Sequence, residues 1–206
     1  MLYQVATQAV RRARTASSIL DAAEAVFAEG GGYRAATMEA IATEADVAVA
    51  TLYDHFGGKR DVYLALADRM IDVNEEYLAA ARAEVIDPLE EVVATGKAYA
   101  QFHVDHPLAF RLIGLVDVDE RDTKRVRSAQ SRIQHRQRAM LGDLAGALSR
   151  AMEAGQLRKR DPGRAALVLW ASLNGVLAFA ARGALPATEI EPALDMAREL
   201  ALDGLR

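Results

Sequence analysis

Residues 49–59 gather side chains suited to a phosphate backbone and the base edges beside it. Val49, Ala50, Thr51, Tyr53, His55 and Lys59 stand there, with Thr37 a short way ahead. Phenol and imidazole groups donate hydrogen bonds to phosphate oxygens and an ammonium adds charge, whereas threonine and alanine methyls can touch a thymine methyl. Residues 49–56 hold no Arg, Asn or Gln for bidentate contact with a base, so methyl contacts and DNA shape are expected to carry much of the specificity. Upstream, Arg11, Arg12 and Arg14 read as a basic arm ahead of the first helix, fit for phosphates or a minor groove. Patterns for catalysis are missing: there is no G-x-S-x-G elbow, no G-x-x-x-x-G-K-[ST] loop and no H-E-x-x-H, and Gly30-Gly31-Gly32 follows a helix. No catalytic residue and no cofactor are expected.

Elements must hold these groups in place. Thr37 is a helix-capping residue, and Met38, Ile41, Ala42 and Ala45 lie three and four apart, which predicts a short helix over 37–45. Asp46 marks a break, since Asp tolerates the left-handed turn better than most residues, and a second short helix covers 49–56. Two short helices in a tight turn, with small Ala42 and Ala45 where they would cross, make a helix-turn-helix over 37–56. Ahead of it, Ile19, Ala22, Ala23, Val26 and Phe27 form one face of a helix that stops at Gly30-Gly31-Gly32. Behind it, Lys59 opens a helix to about Arg82 with Val62, Leu66, Met70, Val73 and Tyr77 as its stripe. Further helices are expected over 88–104, 107–116, 119–153, 162–182 and 189–205. Asp87-Pro88, His106-Pro107, Asp161-Pro162 and Glu191-Pro192 act as start signals. The expected fold is all-α: a three-helix reader over 1–60, joined by a linking helix to a helical bundle within 61–206.

The segment 19–60 reads I-L-D-A-A-x-x-x-F-A-x-x-G, then T-M-x-x-I-A-x-x-A-D-V-A-V-A-T-L-Y-D-H-F-x-x-K. In order, spacing and residue type it resembles the tetracycline-repressor (TetR) family of regulators. The resemblance implies a repressor that binds a palindromic operator in double-stranded DNA as a homodimer and releases it when a small molecule occupies the C-terminal domain. It implies a phosphate contact at Thr37, base-reading positions at Val49, Ala50 and Thr51, backbone contacts from Tyr53 and His55, and a phosphate-binding Lys59. Two positions depart from the family pattern, Asp46 where Gly is usual and Ala48 where Ser is usual. Asp54 adds an acid to the DNA side of the second helix, and residues 1–60 hold six Lys+Arg against seven Asp+Glu. These features motivate a second reading, a helical adaptor that keeps the shape but binds protein; operator binding separates the two. A helical-bundle enzyme is a third, resting on two histidines and nearby acids.

Composition sets the outer bounds. With 206 residues, 51% hydrophobic and 26% charged, the chain can bury a sizeable core and is far from disordered. No cysteine is present, which excludes disulfide stapling and thiolate metal sites and makes the cytoplasm the expected compartment. A net charge of -4 argues against indiscriminate coating of nucleic acid. Residues 165–181 are apolar enough to invite a membrane reading, but a helix apolar all round is more simply one buried in a bundle. Paired with the last helix, it would form a dimer interface through Leu169, Leu173, Val176, Leu194, Ala197 and Ala201, holding two readers about 34 Å apart. Phe102, His103, His106, Phe110, Trp170, Asn174 and Phe179 are the candidates for an effector pocket. His103 and His106 lie three apart, too few defined ligands for a cation, and no metal is expected. Arg121, Arg125, Arg132 and Arg136 form a basic stripe expected to be solvated or paired with acids.

Overall fold

The computed structural model describes residues 2–29, 32–114 and 124–206. They form α1 (Leu2–Ala28), α2 (Gly32–Ala35), α3 (Met38–Glu44), α4 (Val49–Phe56), α5 (Lys59–Arg82), α6 (Pro88–Asp105), α7 (Pro107–Gly114), α8 (Lys124–Glu153), α9 (Pro162–Ala181) and α10 (Ala187–Asp203). The fold is all-α, and no strand occurs among the described residues. Gly30, Gly31, Arg121, the Arg125 side chain and the expected helix start near 119 lie outside them.

Asp-Pro pairs start helices by supplying an acceptor and then a residue with no amide to waste. Asp87 accepts from the Glu90 amide at 2.9 Å ahead of α6, and Asp161 from the Arg164 amide at 2.8 Å ahead of α9. The Glu90 amide and then the Gln156 side chain hold the Asp87 carboxyl below its ordinary range. Pro192 behaves differently from expectation. α10 begins at Ala187, so Pro192 sits inside it, exposed together with Thr188; the carbonyl that loses its helical donor there can turn to water.

The described residues divide into two compact units, with α5 passing from the first to the second after Arg69 and α8 after Gln130. In the first, Ile19, Ala23 and Phe27 of α1, Ile41 and Ala42 of α3, Leu52 and Phe56 of α4 and Val62 and Leu66 of α5 are buried. Phe27, Tyr33 and Tyr63 pack as a ring cluster with centroids 4.9–5.8 Å apart. The Arg69 guanidinium ties α5 to α1 through Asp21 at 2.5 Å and Glu24 at 2.9 Å. α1 reaches back to Leu2, so Arg11, Arg12 and Arg14 ride on a helix and are not a separate arm. The reason is local: residues 2–18 contain no Gly or Pro to stop a run rich in good helix formers.

The second unit holds two apolar clusters. One joins Val92, Leu148, Met152, Leu157, Ala166, Leu169 and Leu202; the other joins Leu78, Tyr99, Leu173, Leu177 and Leu194. Arg136 of the expected basic stripe is paired, its Nη2 lying 2.6 Å from Asp72 and 2.7 Å from Glu75, which raises its pKa. α9 does not have the all-round burial expected of it. Ala165, Ala166, Leu169, Leu173 and Leu177 face the core, while Leu167, Val168 and Phe179 are 50%, 59% and 57% exposed. By length and composition alone α9 could cross a membrane.

Candidate functional site

The helix-turn-helix is built from local hydrogen bonding. Thr37, in extended backbone, caps α3 by accepting the Ala40 amide at 3.1 Å. α3 closes with the Asp46 amide on the Thr43 carbonyl at 3.2 Å and the Val47 amide on the Ala42 carbonyl at 3.0 Å. This crossed pair requires a left-handed residue between the helices, and Asp46 supplies it at φ 51°. α4 starts after Ala48 with no side-chain cap and ends at Gly57, φ 88°, whose amide donates to the Tyr53 carbonyl. Leu52 and Phe56 anchor α4 in the core, so Ala50, Tyr53 and Asp54 face outward and Val49, Thr51 and His55 are half-buried beside them. The sequence-predicted reading residues therefore share the solvent side of one short helix.

Two cations have partners that sequence reasoning did not expect. Arg12 donates through Nη2 to the Asp54 carbonyl at 3.1 Å, placing it beside the end of α4, while Arg11 and Arg14 are exposed. Lys59 turns inward. Its Nζ donates to the Tyr33 carbonyl at 2.7 Å and the Ala36 carbonyl at 2.8 Å, and lies 4.5 Å from the centre of the Tyr33 ring. A lysine has three donors, and two of these are committed to the chain that leads into Thr37.

The second unit contains an apolar cavity of about 40 Å³. On this measure one water needs roughly 10–15 Å³, so a larger guest must displace side chains. Leu78 comes from α5, Val92, Thr95, Gly96 and Tyr99 from α6, Met140, Leu141 and Leu144 from α8, Leu169, Trp170 and Leu173 from α9, and Arg198 from α10. Of the expected pocket residues only Trp170 lines this cavity. Asn174 acts at one remove, accepting from the Tyr99 hydroxyl at 3.0 Å; burial pushes that hydroxyl up to about 12. Phe102, His103, His106 and Phe110 pack with Tyr77 and Tyr99 in an aromatic cluster that meets the cavity wall only through Tyr99. Phe179 points outward, with the Arg182 guanidinium 5.3 Å from its ring centre. Burial, and secondarily the charge of His106, lowers His103 to about 3, and its Nδ1 has no hydrogen-bond partner among the described residues. No group of three or more metal-capable His, Asp or Glu side chains occurs among them either. Helical spacing located the aromatics but carried no signal for Gly96 or Arg198, whose place depends on how separate helices meet.

The six residues expected at a dimer interface belong to the chain's own packing. Leu169 and Ala201 join one apolar cluster; Leu173, Val176, Leu194 and Ala197 join the other. The outward stripe of α9 instead runs through Val168, Ala171, Gly175 and Phe179, and that of α10 through Met196 and Leu200. Gly175 faces open space, since a Cβ there would meet nothing within 4 Å.

Residues 19–66 match the family model described as bacterial regulatory proteins, tetR family, and residues 92–205 match that of the tetracyclin repressor-like C-terminal domain. The HTH-type transcriptional activator FasR of Mycolicibacterium smegmatis is 34% identical over 95 residues, 46% of this chain and 43% of that protein. Among solved structures, a TetR-family transcriptional regulator from Agrobacterium tumefaciens superposes with a TM-score of 0.74 at 19% identity, covering 94% of this chain and 98% of that one. The fatty acid degradation regulator FadR from Bacillus halodurans gives 0.71 at 21% identity, covering 93% and 96%. At these identities the structural likeness concerns the fold.

Proposed function

Because the chain belongs to the tetracycline-repressor family of bacterial regulatory proteins, we propose that this DNA-binding transcriptional regulator works in the cytoplasm as a homodimer on a two-fold operator, and leaves it when a small molecule enters the second unit. The observation that carries the reading is α4, anchored by Leu52 and Phe56 with its polar and small side chains turned outward. A helix held this way can enter a major groove. Residues 1–60 are assigned the reading and 61–206 the effector and the dimer contact. Thr51, with Val49 and Ala50, reads base edges; Tyr53, His55, Arg11, Arg12, Arg14 and the start of α3 at Thr37 meet the phosphates. Lys59 is assigned a positioning role, because its donors serve the carbonyls before Thr37. The relatives are regulators, and no catalytic step is proposed.

The dimer contact is reassigned to the outward stripe of Val168, Ala171, Gly175, Phe179, Met196 and Leu200. Exposed apolar stripes on adjacent helices are the usual mark of a protein interface, and Gly175 would let a partner helix approach closely. The effector acts by differential affinity: a ligand that prefers the dimer with mis-spaced readers shifts it off DNA. Repression is the reading kept; activation is the second, because the similar FasR carries that word in its name. Purified protein is mixed with fragmented DNA of its own genome, and fragments retained at moderate salt are sequenced. A shared palindrome is expected, and its position against the promoter separates repression from activation. Salt-labile binding without a motif would overturn the reader and favour the protein-binding adaptor.

A further inference from the structure

Arg198 alone carries a charge among the residues lining the cavity of the second unit, and it is only 8% exposed. A buried cation is costly unless paired and hydrogen-bonded. Its ion pair, Nη1 to Asp195 at 2.8 Å, is with a carboxylate that is itself 53% exposed and therefore screened by solvent. That contact leaves the Nε and Nη2 edge of the guanidinium for a second acceptor, and this edge matches the two oxygens of a planar anion. Gly96 lets the arginine stem lie along α6, since a Cβ there would stand 3.4 Å from Arg198 Cδ. The Tyr99 hydroxyl is engaged with Asn174 and does not compete. Beyond Arg198 the walls are mainly hydrocarbon, with Thr95, Tyr99 and Trp170 as the other residues that carry a polar group, and Met140 has the flexibility to make room for a chain.

We propose that the ligand of this cavity is an extended apolar molecule ending in an anion, with the chain among the α5, α6, α8 and α9 side chains and the anion on Arg198. This rests on the effector reading above and names its chemistry. A neutral hydrocarbon would leave the guanidinium half-paired, and a cationic one would be repelled by it.

The test uses the 206-residue chain and calorimetric titration with dodecanoate and dodecyl phosphate below their micelle concentrations and dodecan-1-ol below its solubility limit. Dodecanoate or dodecyl phosphate is expected to bind at least about tenfold more tightly than the alcohol, and the stronger of the two says whether the end is carboxylated or phosphorylated. Arg198→Met should erase this preference while the alcohol binds as before. Asp195→Asn, at an exposed position that leaves the fold intact, should tighten the anion several-fold and leave the alcohol unchanged, which keeps the proposal testable if Arg198→Met does not fold. Equal binding of alcohol and anions to the wild type, or an Asp195→Asn protein with no gain, would overturn the anion site; binding of none of the three would overturn the apolar chain. Operator release is measured separately by fluorescence anisotropy. An anion that binds through Arg198 without releasing DNA supports the ligand class and sinks the effector reading, whereas release by a molecule lacking an apolar chain, with none of the three bound, does the reverse.

Discussion

At the residue scale, Lys59 and Thr51 make opposite predictions. Lys59 hydrogen-bonds the carbonyls of Tyr33 and Ala36, so Lys59→Met should lower stability by about 2 kcal/mol and weaken operator binding on all sequences. The slope of log affinity against log salt should stay unchanged; loss of a phosphate contact would flatten it by about one unit, and that result would return Lys59 to the backbone-contacting set. Changing Thr51 to Val or Ser should instead shift base preference in a binding-site selection, and an unaltered preference would remove Thr51 from the readers. His103 links stability to pH. In the unfolded chain it takes up a proton near its ordinary value of about 6.5, whereas in the fold burial delays this to about 3. Between those values the unfolded state binds more protons, so the contribution of His103 is complete above about pH 6.5 and is lost as pH falls toward 3. It amounts to about 2 kcal/mol between pH 7.5 and 5. In urea unfolding the wild type should lose about 2 kcal/mol more than His103→Phe over that range, and parallel pH curves would show that this imidazole is not held neutral.

At the scale of elements, the turn between α3 and α4 works with residues that are not the best for their backbone. Asp46 holds φ 51°, a conformation that costs a non-glycine residue about 1 kcal/mol, and α4 begins at Ala48 without a side-chain acceptor. Asp46→Gly and Ala48→Ser should each stabilise the protein by about 1 kcal/mol in urea unfolding. No gain from Ala48→Ser would mean that solvent already serves the first amides of α4. The turn was legible in the sequence because its signals are local: an apolar i, i+3, i+4 pattern, a capping threonine, and a residue type that accepts positive φ. The start of α10 was legible to within two residues, at Ala187 against the expected 189, although Pro192 carries the same start signal as Pro88 and Pro162; the exposed backbone around Thr188 lets the helix run through it.

For the whole molecule, the decisive quantity is which side of α9 and α10 stays open. Val168→Glu combined with Phe179→Glu changes two exposed side chains, so the fold should persist while sedimentation shows a monomer. Operator affinity should fall by orders of magnitude, and the melting temperature should lose its dependence on concentration. A dimer that survives both charges would place the contact elsewhere.

The sequence by itself determined the all-α fold, most helix starts, the buried faces of α1, α3 and the first half of α5, and the outward residues of α4. All of these follow from periodicity and capping, which act within a few residues of the chain. It did not determine the phase of α9, because leucine, valine and alanine occur on every side of that helix and hydrophobicity alone cannot tell a core-facing residue from one on an open apolar face. Nor did it place Gly96 and Arg198 on the cavity wall or turn Lys59 toward the carbonyls of Tyr33 and Ala36. Those contacts join residues far apart in sequence, and only the packing of separate helices brings them within hydrogen-bonding or van der Waals reach.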